Sequence, residues 1–170
     1  MEYKITNRGA EIYNLSSFDL AETFDCGQCF RWEALPCDET NGIQKFSAVL
    51  RGRYTTVYKH NNIFIIENCT EDELKNIFID YFDLNLDYDA VRASLVQKLP
   101  ILKDAAKNAP GIRILAQEPW EALCSFIISQ NNNIPRIKGI ISRLCETFGK
   151  KCGESYTCLL YTSPSPRDIS

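Results

Sequence analysis

Three consecutive asparagines lie between two helical patterns in the stretch Ile127-Ile128-Ser129-Gln130-Asn131-Asn132-Asn133-Ile134-Pro135-Arg136-Ile137. Asparagine side chains cap free amide groups and tolerate left-handed backbone, and proline suits the first turn of a helix. We therefore predict a tight turn that links two helices. Capping alone explains Asn132 or Asn133, but it does not require three asparagines.

Apolar residues repeat at helical spacing on both sides of this turn. The stripe before the turn consists of Trp120, Leu123, Cys124 and Ile127, and the stripe after it of Ile137, Ile141, Leu144, Cys145 and Phe148. We predict one helix from Glu118 to near Gln130 and a second from Ile134, with Gly149 as its C-terminal signal.

Helical signals begin further upstream, at Thr70. Thr70-Glu71-Asp72-Glu73 has the form of a capping box, with an acid three residues after the threonine. Further helices are predicted over 88–98 and 101–107, with Pro100 and Pro110 as breaks.

The first sixty-odd residues favour strands. Short runs of β-branched and aromatic residues cover 46–50, 54–58 and 63–66 at hairpin-like separations, and 29–33 is a fourth predicted strand. Strands followed by helices indicate an α+β fold, in which a small antiparallel β-sheet precedes a helical part.

Composition is that of an ordinary globular protein, with 45% hydrophobic and 24% charged residues among 170. No window approaches the ~18 continuous apolar residues of a membrane span, and the N-terminus has no apolar stretch typical of a signal peptide. We expect a cytoplasmic protein with no membrane partner.

Charge is unevenly distributed along the chain, whose formal net charge is −3. Residues 67–89 contain eight acids and one lysine, and residues 129–151 contain five bases and one acid. This distribution is compatible with a protein that offers DNA one face, and equally with two differently solvated surfaces.

Eight cysteines require an interpretation. Nothing indicates export, so a disulfide framework is not expected. Zinc fits poorly, because Cys26-x-x-Cys29 has no second such pair and His60 is the only histidine. A thioredoxin-like redox pair would need the first cysteine at a helix N-terminus, whereas a strand is predicted here. We expect mostly reduced core cysteines and no metal or other cofactor.

Three segments together resemble the 8-oxoguanine DNA glycosylases of the helix-hairpin-helix superfamily. They are Asp25-Cys26-Gly27-Gln28-Cys29-Phe30-Arg31-Trp32, the asparagine-rich stretch above, and Gly111-Ile112-Arg113-Ile114-Leu115-Ala116-Gln117-Glu118-Pro119-Trp120-Glu121 between them. The resemblance covers roughly residues 10–150. It implies base-excision repair of duplex DNA that contains 8-oxoguanine opposite cytosine.

The resemblance also implies roles for individual residues. Gly27 matches the glycine whose carbonyl accepts the N7 hydrogen of 8-oxoguanine. Asn131 matches the residue that enters the duplex beside the estranged cytosine, and Arg136 matches a second contact to that cytosine. Arg143, seven residues after Arg136, lies on the same helix face. The spacing alone, without the resemblance, favours either a DNA backbone contact or a solvated surface arginine at this position.

Catalysis in the family uses a lysine on a helix-hairpin-helix element, which attacks the sugar C1′, and a following aspartate. No Leu-Pro-Gly-Val-Gly-type hairpin occurs in this sequence. We therefore assign no catalytic residue and expect the chain to be an inactive part of a DNA N-glycosylase and DNA-(apurinic or apyrimidinic site) lyase that is monomeric at full length. A DNA- or protein-binding module that works without catalysis is the alternative.

The predicted domain organisation follows from these assignments. Residues 1–110 form the N-terminal β-sheet domain with its following helices, 111–152 the start of a truncated all-α glycosylase domain, and 153–170 a non-native tail. Within that tail, residues 158–170 resemble a translated sequencing adapter, and Pro164 and Pro166 are incompatible with a continuing helix.

Overall fold

The computed structural model describes residues 1–36 and 43–157. The adapter-like residues 158–170 lie outside the described residues. A six-stranded sheet has the order β1-β2-β6-β5-β4-β3, and a two-stranded sheet pairs β7 with β8. The strands are β1 (Glu2–Thr6), β2 (Gly9–Tyr13), β3 (Glu33–Ala34), β4 (Gln44–Leu50), β5 (Arg53–His60), β6 (Ile63–Glu67), β7 (Lys151–Cys152) and β8 (Ser155–Tyr156).

The three central predicted strands are confirmed as β4, β5 and β6. Hairpin geometry explains the register of β5 with β6, because Asn61 and Asn62 between these strands both adopt left-handed backbone, with φ of 49° and 63°. His60 then faces Ile63 in an antiparallel pair. With the helices that follow, the sheet confirms the predicted α+β class.

The predicted strand over 29–33 is wrong. Only Glu33 and Ala34 have strand geometry, and they extend one residue beyond the predicted range. Cys29 and Trp32 are buried while Phe30 and Arg31 are half-buried, so burial does not alternate as it would along a sheet strand. These residues run instead as irregular chain.

Most helices in the described residues begin after a residue whose side chain accepts a hydrogen bond from the first turn. They are α1 (Leu20–Asp25), α2 (Glu71–Glu73), α3 (Ile79–Tyr81), α4 (Tyr88–Lys98), α5 (Lys103–Asn108), α6 (Pro119–Ser129) and α7 (Ile134–Phe148), with a π-helical turn at Leu74–Phe78 and a 3₁₀ turn at Pro100–Leu102. The Thr70 capping box is confirmed in both directions. Sequence analysis missed α1, although Asp19 and Glu22 stand in the spacing of a cap and its third residue.

The chain divides into two compact units. The first comprises Met1–Gln28, Ala34–Phe46 and Thr56–Ala116, and the second comprises Cys29–Glu33, Ser47–Thr55 and the chain from Gln117 onward. An aromatic cluster centred on Phe82 forms the core of the first unit. Its ring lies 5.2 Å from that of Phe64 and 4.9 Å from that of Tyr81, both edge-to-face, a favourable geometry for aromatic pairs.

A short irregular segment that contains Gly111 packs against α1 within the first unit. The Asp19 backbone amide and the Thr23 hydroxyl donate to the Gly111 carbonyl, at 2.9 and 3.1 Å. The Gly111 amide donates in turn to a Glu22 carboxylate oxygen at 2.7 Å. Because its backbone touches α1 so closely, Gly111 has no room for a side chain: a Cβ would lie 2.4 Å from the Asp19 Cβ.

The second unit has a smaller core. Ile137, Ile141 and Cys145 of α7 are buried, and Phe30, Ile128 and Tyr156 pack against them. Phe148, the last member of the predicted α7 stripe, is exposed.

The predicted stripe on α6 differs from that on α7. Trp120, Leu123 and Ile127 are exposed, as is the neighbouring Phe126, while Cys124 is half-buried. Apolar periodicity identified the helix correctly, but the buried residue of α6 is Ser125. Among the described residues no helix combines the length and apolar character needed to cross a membrane.

We predict that Gly111→Ala lowers the free energy of unfolding by about 1–3 kcal/mol, because the added methyl forces backbone shifts against α1. The control is Gly139→Ala in α7, where a Cβ would meet no atom within 4 Å. That change should stabilise by about 0.5–1 kcal/mol through helix propensity. Urea unfolding followed by circular dichroism measures both, and an unchanged Gly111→Ala midpoint would contradict the packing described.

Candidate nucleic-acid interface

Gly27 lies in an exposed loop directly after α1, in the first unit. Its φ of 86° is left-handed, a region that favours glycine. A Cβ built on it would meet no atom within 4 Å, so the loop presents open backbone to solvent. No described residue donates a hydrogen bond to the Gly27 carbonyl. This carbonyl is therefore available to accept a hydrogen from a ligand.

The same geometry opposes the redox interpretation of Cys26 and Cys29. Cys26 is the C-cap of α1, whereas a thioredoxin-like thiol needs a helix N-terminus. Its thiol donates to the Thr23 carbonyl at 3.3 Å. Cys29 is buried. Within the described part of the chain, no group of three or more metal-ligating side chains occurs.

Gln28 anchors this loop, and sequence analysis assigned it no role. Its amide nitrogen donates to the Thr23 carbonyl at 2.9 Å and to the Arg113 carbonyl at 2.7 Å. Its amide oxygen accepts from the Leu115 backbone amide at 3.0 Å. Both ends of the side-chain amide are thus used. Two of the three partners, Arg113 and Leu115, lie more than eighty residues away in sequence, so no local pattern reveals them.

Arg113, whose backbone carbonyl binds Gln28, is itself held in place by its side chain. Its side chain is fully buried, and its guanidinium donates to the Asp83 carbonyl at 2.7 Å and to the Ser16 hydroxyl at 2.7 Å. It also lies 4.5 Å from the centroid of the Tyr88 ring, within cation–π range. Burial lowers the pKa of Arg113 from its ordinary value. The backbone that binds Gln28 therefore belongs to a fixed, buried residue.

The asparagine turn belongs to the second unit, and two of its side chains act as caps. The Asn132 amide donates to the Ile128 carbonyl at 2.7 Å near the end of α6. The Asn133 side-chain oxygen accepts from the Arg136 amide at 3.0 Å and so caps α7. Each of the two adjoining helix ends thus has one backbone group bonded by an asparagine side chain.

Asn131 is the asparagine that neither cap uses. It is exposed, its φ is 55°, and its side chain makes no hydrogen bond to a residue that the structure describes. Capping thus explains two of the three asparagines. The third presents a free amide, which carries both a donor and an acceptor, at the tip of a turn fixed on either side.

Arg136 and Arg143 extend from α7 after this turn. Both are exposed, and neither side chain makes a hydrogen bond or ion pair within the described ranges. Their separation of seven residues places them on one helix face, away from the buried Ile137, Ile141 and Cys145. The turn and α7 therefore bring Asn131, Arg136 and Arg143 into one unit of structure, while Gly27 belongs to the other.

Arg31 ties the second unit together internally. Its guanidinium donates to the Val49 carbonyl at 3.5 Å, to the Tyr156 carbonyl, and to the Glu121 carboxylate at 3.5 Å. Burial raises the pKa of Glu121, and the nearby Arg31 charge opposes that rise only in part. Arg31 is thus committed to structure, unlike Arg136 and Arg143.

Comparison with protein families identifies a match over much of the chain. Residues 12–123 match the family described as 8-oxoguanine DNA glycosylase, N-terminal domain. This range includes Gly27, Gln28 and Arg113 but ends before the asparagine turn.

Individual relatives extend the similarity through the turn. An N-glycosylase/DNA lyase of Saccharomyces cerevisiae is 37% identical over 157 residues, which cover 88% of this chain and 40% of the relative. The apo structure of the 8-oxoguanine glycosylase/lyase of Clostridium acetobutylicum is 34% identical with a TM-score of 0.83, covering 99% of this chain and 56% of that one. The same enzyme has been solved in complex with double-stranded DNA containing cytosine opposite 8-oxoguanine (33% identity, TM-score 0.83, 99% of this chain and 58% of that one).

We predict that the asparagines differ in their effect on stability. Asn133→Ala should lower the free energy of unfolding by about 1 kcal/mol, because the α7 cap is lost. Asn131→Gly should change it by less than about 0.5 kcal/mol, because glycine adopts the left-handed backbone and no bond is removed. Parallel urea titrations measure the pair; equal losses would show that Asn131 is structural.

Proposed function

Because the chain belongs to the 8-oxoguanine DNA glycosylase family, we propose that it recognises duplex DNA that carries 8-oxoguanine opposite cytosine. The observation that carries this proposal is the uncommitted Asn131 amide on a turn whose other two asparagines are both used as caps. The chain spans about two fifths of its yeast relative and just over half of the Clostridium structures. The activity proposed for the whole protein is that of a DNA N-glycosylase and lyase.

Gly27 reads the lesion in this proposal. Guanine N7 is a hydrogen-bond acceptor, so a fixed carbonyl beside it repels ordinary guanine. In 8-oxoguanine N7 carries a hydrogen, which the same carbonyl accepts. The support is that the Gly27 carbonyl has no donor among the described residues and that Gly27 is exposed, with no atom within 4 Å of the place a Cβ would take.

Asn131 and Arg136 hold the opposite strand. A glycosylase takes its target base out of the stack, which leaves a gap and an unpaired cytosine. A neutral amide enters such a gap without the cost of burying a charge and bonds to base edges. Arg136, five residues on, supplies donors for the acceptors of cytosine. Both side chains are exposed and free of partners within the described residues.

Arg143 contacts the DNA backbone. It shares a helix face with Arg136 and makes no competing ion pair to a described residue. A guanidinium in this position neutralises a phosphate and contributes affinity without sequence preference.

We predict that Asn131→Ala and Arg136→Gln weaken binding to 8-oxoguanine opposite cytosine more than to 8-oxoguanine opposite adenine. The loss opposite cytosine should be about tenfold, because base-edge contacts discriminate by about 1–3 kcal/mol. Arg143→Gln should weaken binding to both duplexes by a similar factor and reduce the dependence of the dissociation constant on salt concentration. Fluorescence anisotropy with duplexes that differ in one base measures these effects.

The control for these variants is Lys98→Gln on α4. It removes the same charge from another exposed cation, so its effect reports non-specific electrostatics alone. If Arg136→Gln resembled Lys98→Gln with both opposite bases, the assignment of Arg136 to the cytosine would be wrong.

Cleavage is tested separately, by borohydride trapping on lesion-containing duplex. The expected result for the 170-residue chain is no covalent complex, because no residue in it matches the lysine hairpin of the family. Trapping would reduce a Schiff base between a lysine amine and the sugar C1′ to a stable adduct. An adduct on this chain would show that another amine performs the reaction.

A further inference from the structure

We propose that Gln28 is the positioning residue for the lesion-reading carbonyl of Gly27. The inference rests on the proposed function, since it takes from there the role of that carbonyl. What it adds is the group that fixes the carbonyl in space. The Gly27 carbonyl and the Gln28 amide nitrogen belong to one planar peptide unit, so an anchor on Gln28 restricts that plane directly.

The anchor is a three-point attachment. The Gln28 side chain spans from the Thr23 carbonyl in α1 to the Arg113 carbonyl and the Leu115 amide in the segment after α5. Two donors and one acceptor are matched to two carbonyls and one amide. A rotation of the Gln28 side chain would break all three bonds, so the Cα of Gln28 has little freedom.

Cys26, the residue before Gly27, bonds to the same Thr23 carbonyl as Gln28. The Cys26 thiol and the Gln28 amide both donate to the Thr23 carbonyl, at 3.3 and 2.9 Å. Gly27 is therefore the one loop residue between two attachments to a single carbonyl. It supplies the left-handed backbone that the short closure requires, with φ of 86°.

Glycine alone could not keep such a carbonyl in place. Its backbone is the most permissive of all residues, and the Gly27 position is exposed with open space where a Cβ would lie. Discrimination by a single carbonyl depends on a fixed position, because a mobile carbonyl can turn away from guanine N7 and escape repulsion. The Gln28 side chain provides the rigidity that Gly27 lacks.

Hydrogen-bond chemistry predicts which substitutions of Gln28 break its attachment to Thr23, Arg113 and Leu115. Gln28→Leu removes all three bonds with little change in size. Gln28→Glu keeps an acceptor for Leu115 but, when ionised, directs negative charge at the carbonyls of Thr23 and Arg113. Protonation of the introduced carboxyl restores one donor, and the facing carbonyls favour the protonated form.

The test measures the ratio of the dissociation constants of the 170-residue chain for two duplexes that differ only in guanine or 8-oxoguanine opposite cytosine. The unaltered chain should prefer the lesion. Gln28→Leu should reduce that preference by about tenfold, the effect of losing one well-placed hydrogen bond to the base. Gln28→Glu should lose the preference at about pH 8 and regain part of it at about pH 5, because the carboxyl regains a donor on protonation.

Controls separate positioning from folding. Gln97→Leu, an exposed glutamine on α4, should leave the ratio unchanged. If Gln28 had only a structural role, Gln28→Leu would weaken binding to both duplexes equally and leave the ratio unchanged. That result, or a ratio for Gln28→Glu that does not change with pH, would overturn the inference while leaving the proposed function intact. An unaltered chain without any lesion preference would instead overturn the role of Gly27, and the inference with it.

Discussion

The backbone amides of the segment Gly111–Ala116 need hydrogen-bond acceptors, although the segment belongs to no helix or strand. Glu22, Thr23 and Gln28 supply side-chain acceptors to Gly111, Arg113 and Leu115, while the Tyr88 hydroxyl accepts from Ile114 and the Tyr81 carbonyl from Ala116. An unpaired buried amide costs about 1–3 kcal/mol. Satisfying this segment therefore determines where α1 lies, and α1 determines where the Gly27 loop begins.

The buried charge of Arg113 makes this arrangement difficult to relax. A guanidinium removed from water must keep its hydrogen bonds, and its partners are Ser16 and the Asp83 carbonyl in separate parts of the chain. Any displacement of the segment would pull the charge away from both. A polar network of this kind is costly when incomplete, so it favours a single conformation over neighbouring ones.

Sequence patterns predicted the elements that local physics determines. Runs of β-branched and aromatic residues predicted β4 to β6, and the Thr70 and Asn133 caps marked the starts of α2 and α7 correctly. The same patterns failed where the local conformation depends on contacts between residues distant in sequence. Cys29–Trp32 contains strand-forming residues but buries them at a spacing of three, and α1 has only six residues, too few for a clear periodicity. Gln28 escaped notice because its role depends on partners far along the chain.

The asparagine turn also bears on the thermodynamics of association. Asn132 and Asn133 fasten the adjoining ends of α6 and α7, so the backbone of Asn131 has already lost its conformational freedom when the chain folds. A binding partner that meets this residue orders one short side chain rather than a whole loop. The entropy lost in complex formation is correspondingly small, and a modest number of contacts at the turn can yield measurable affinity.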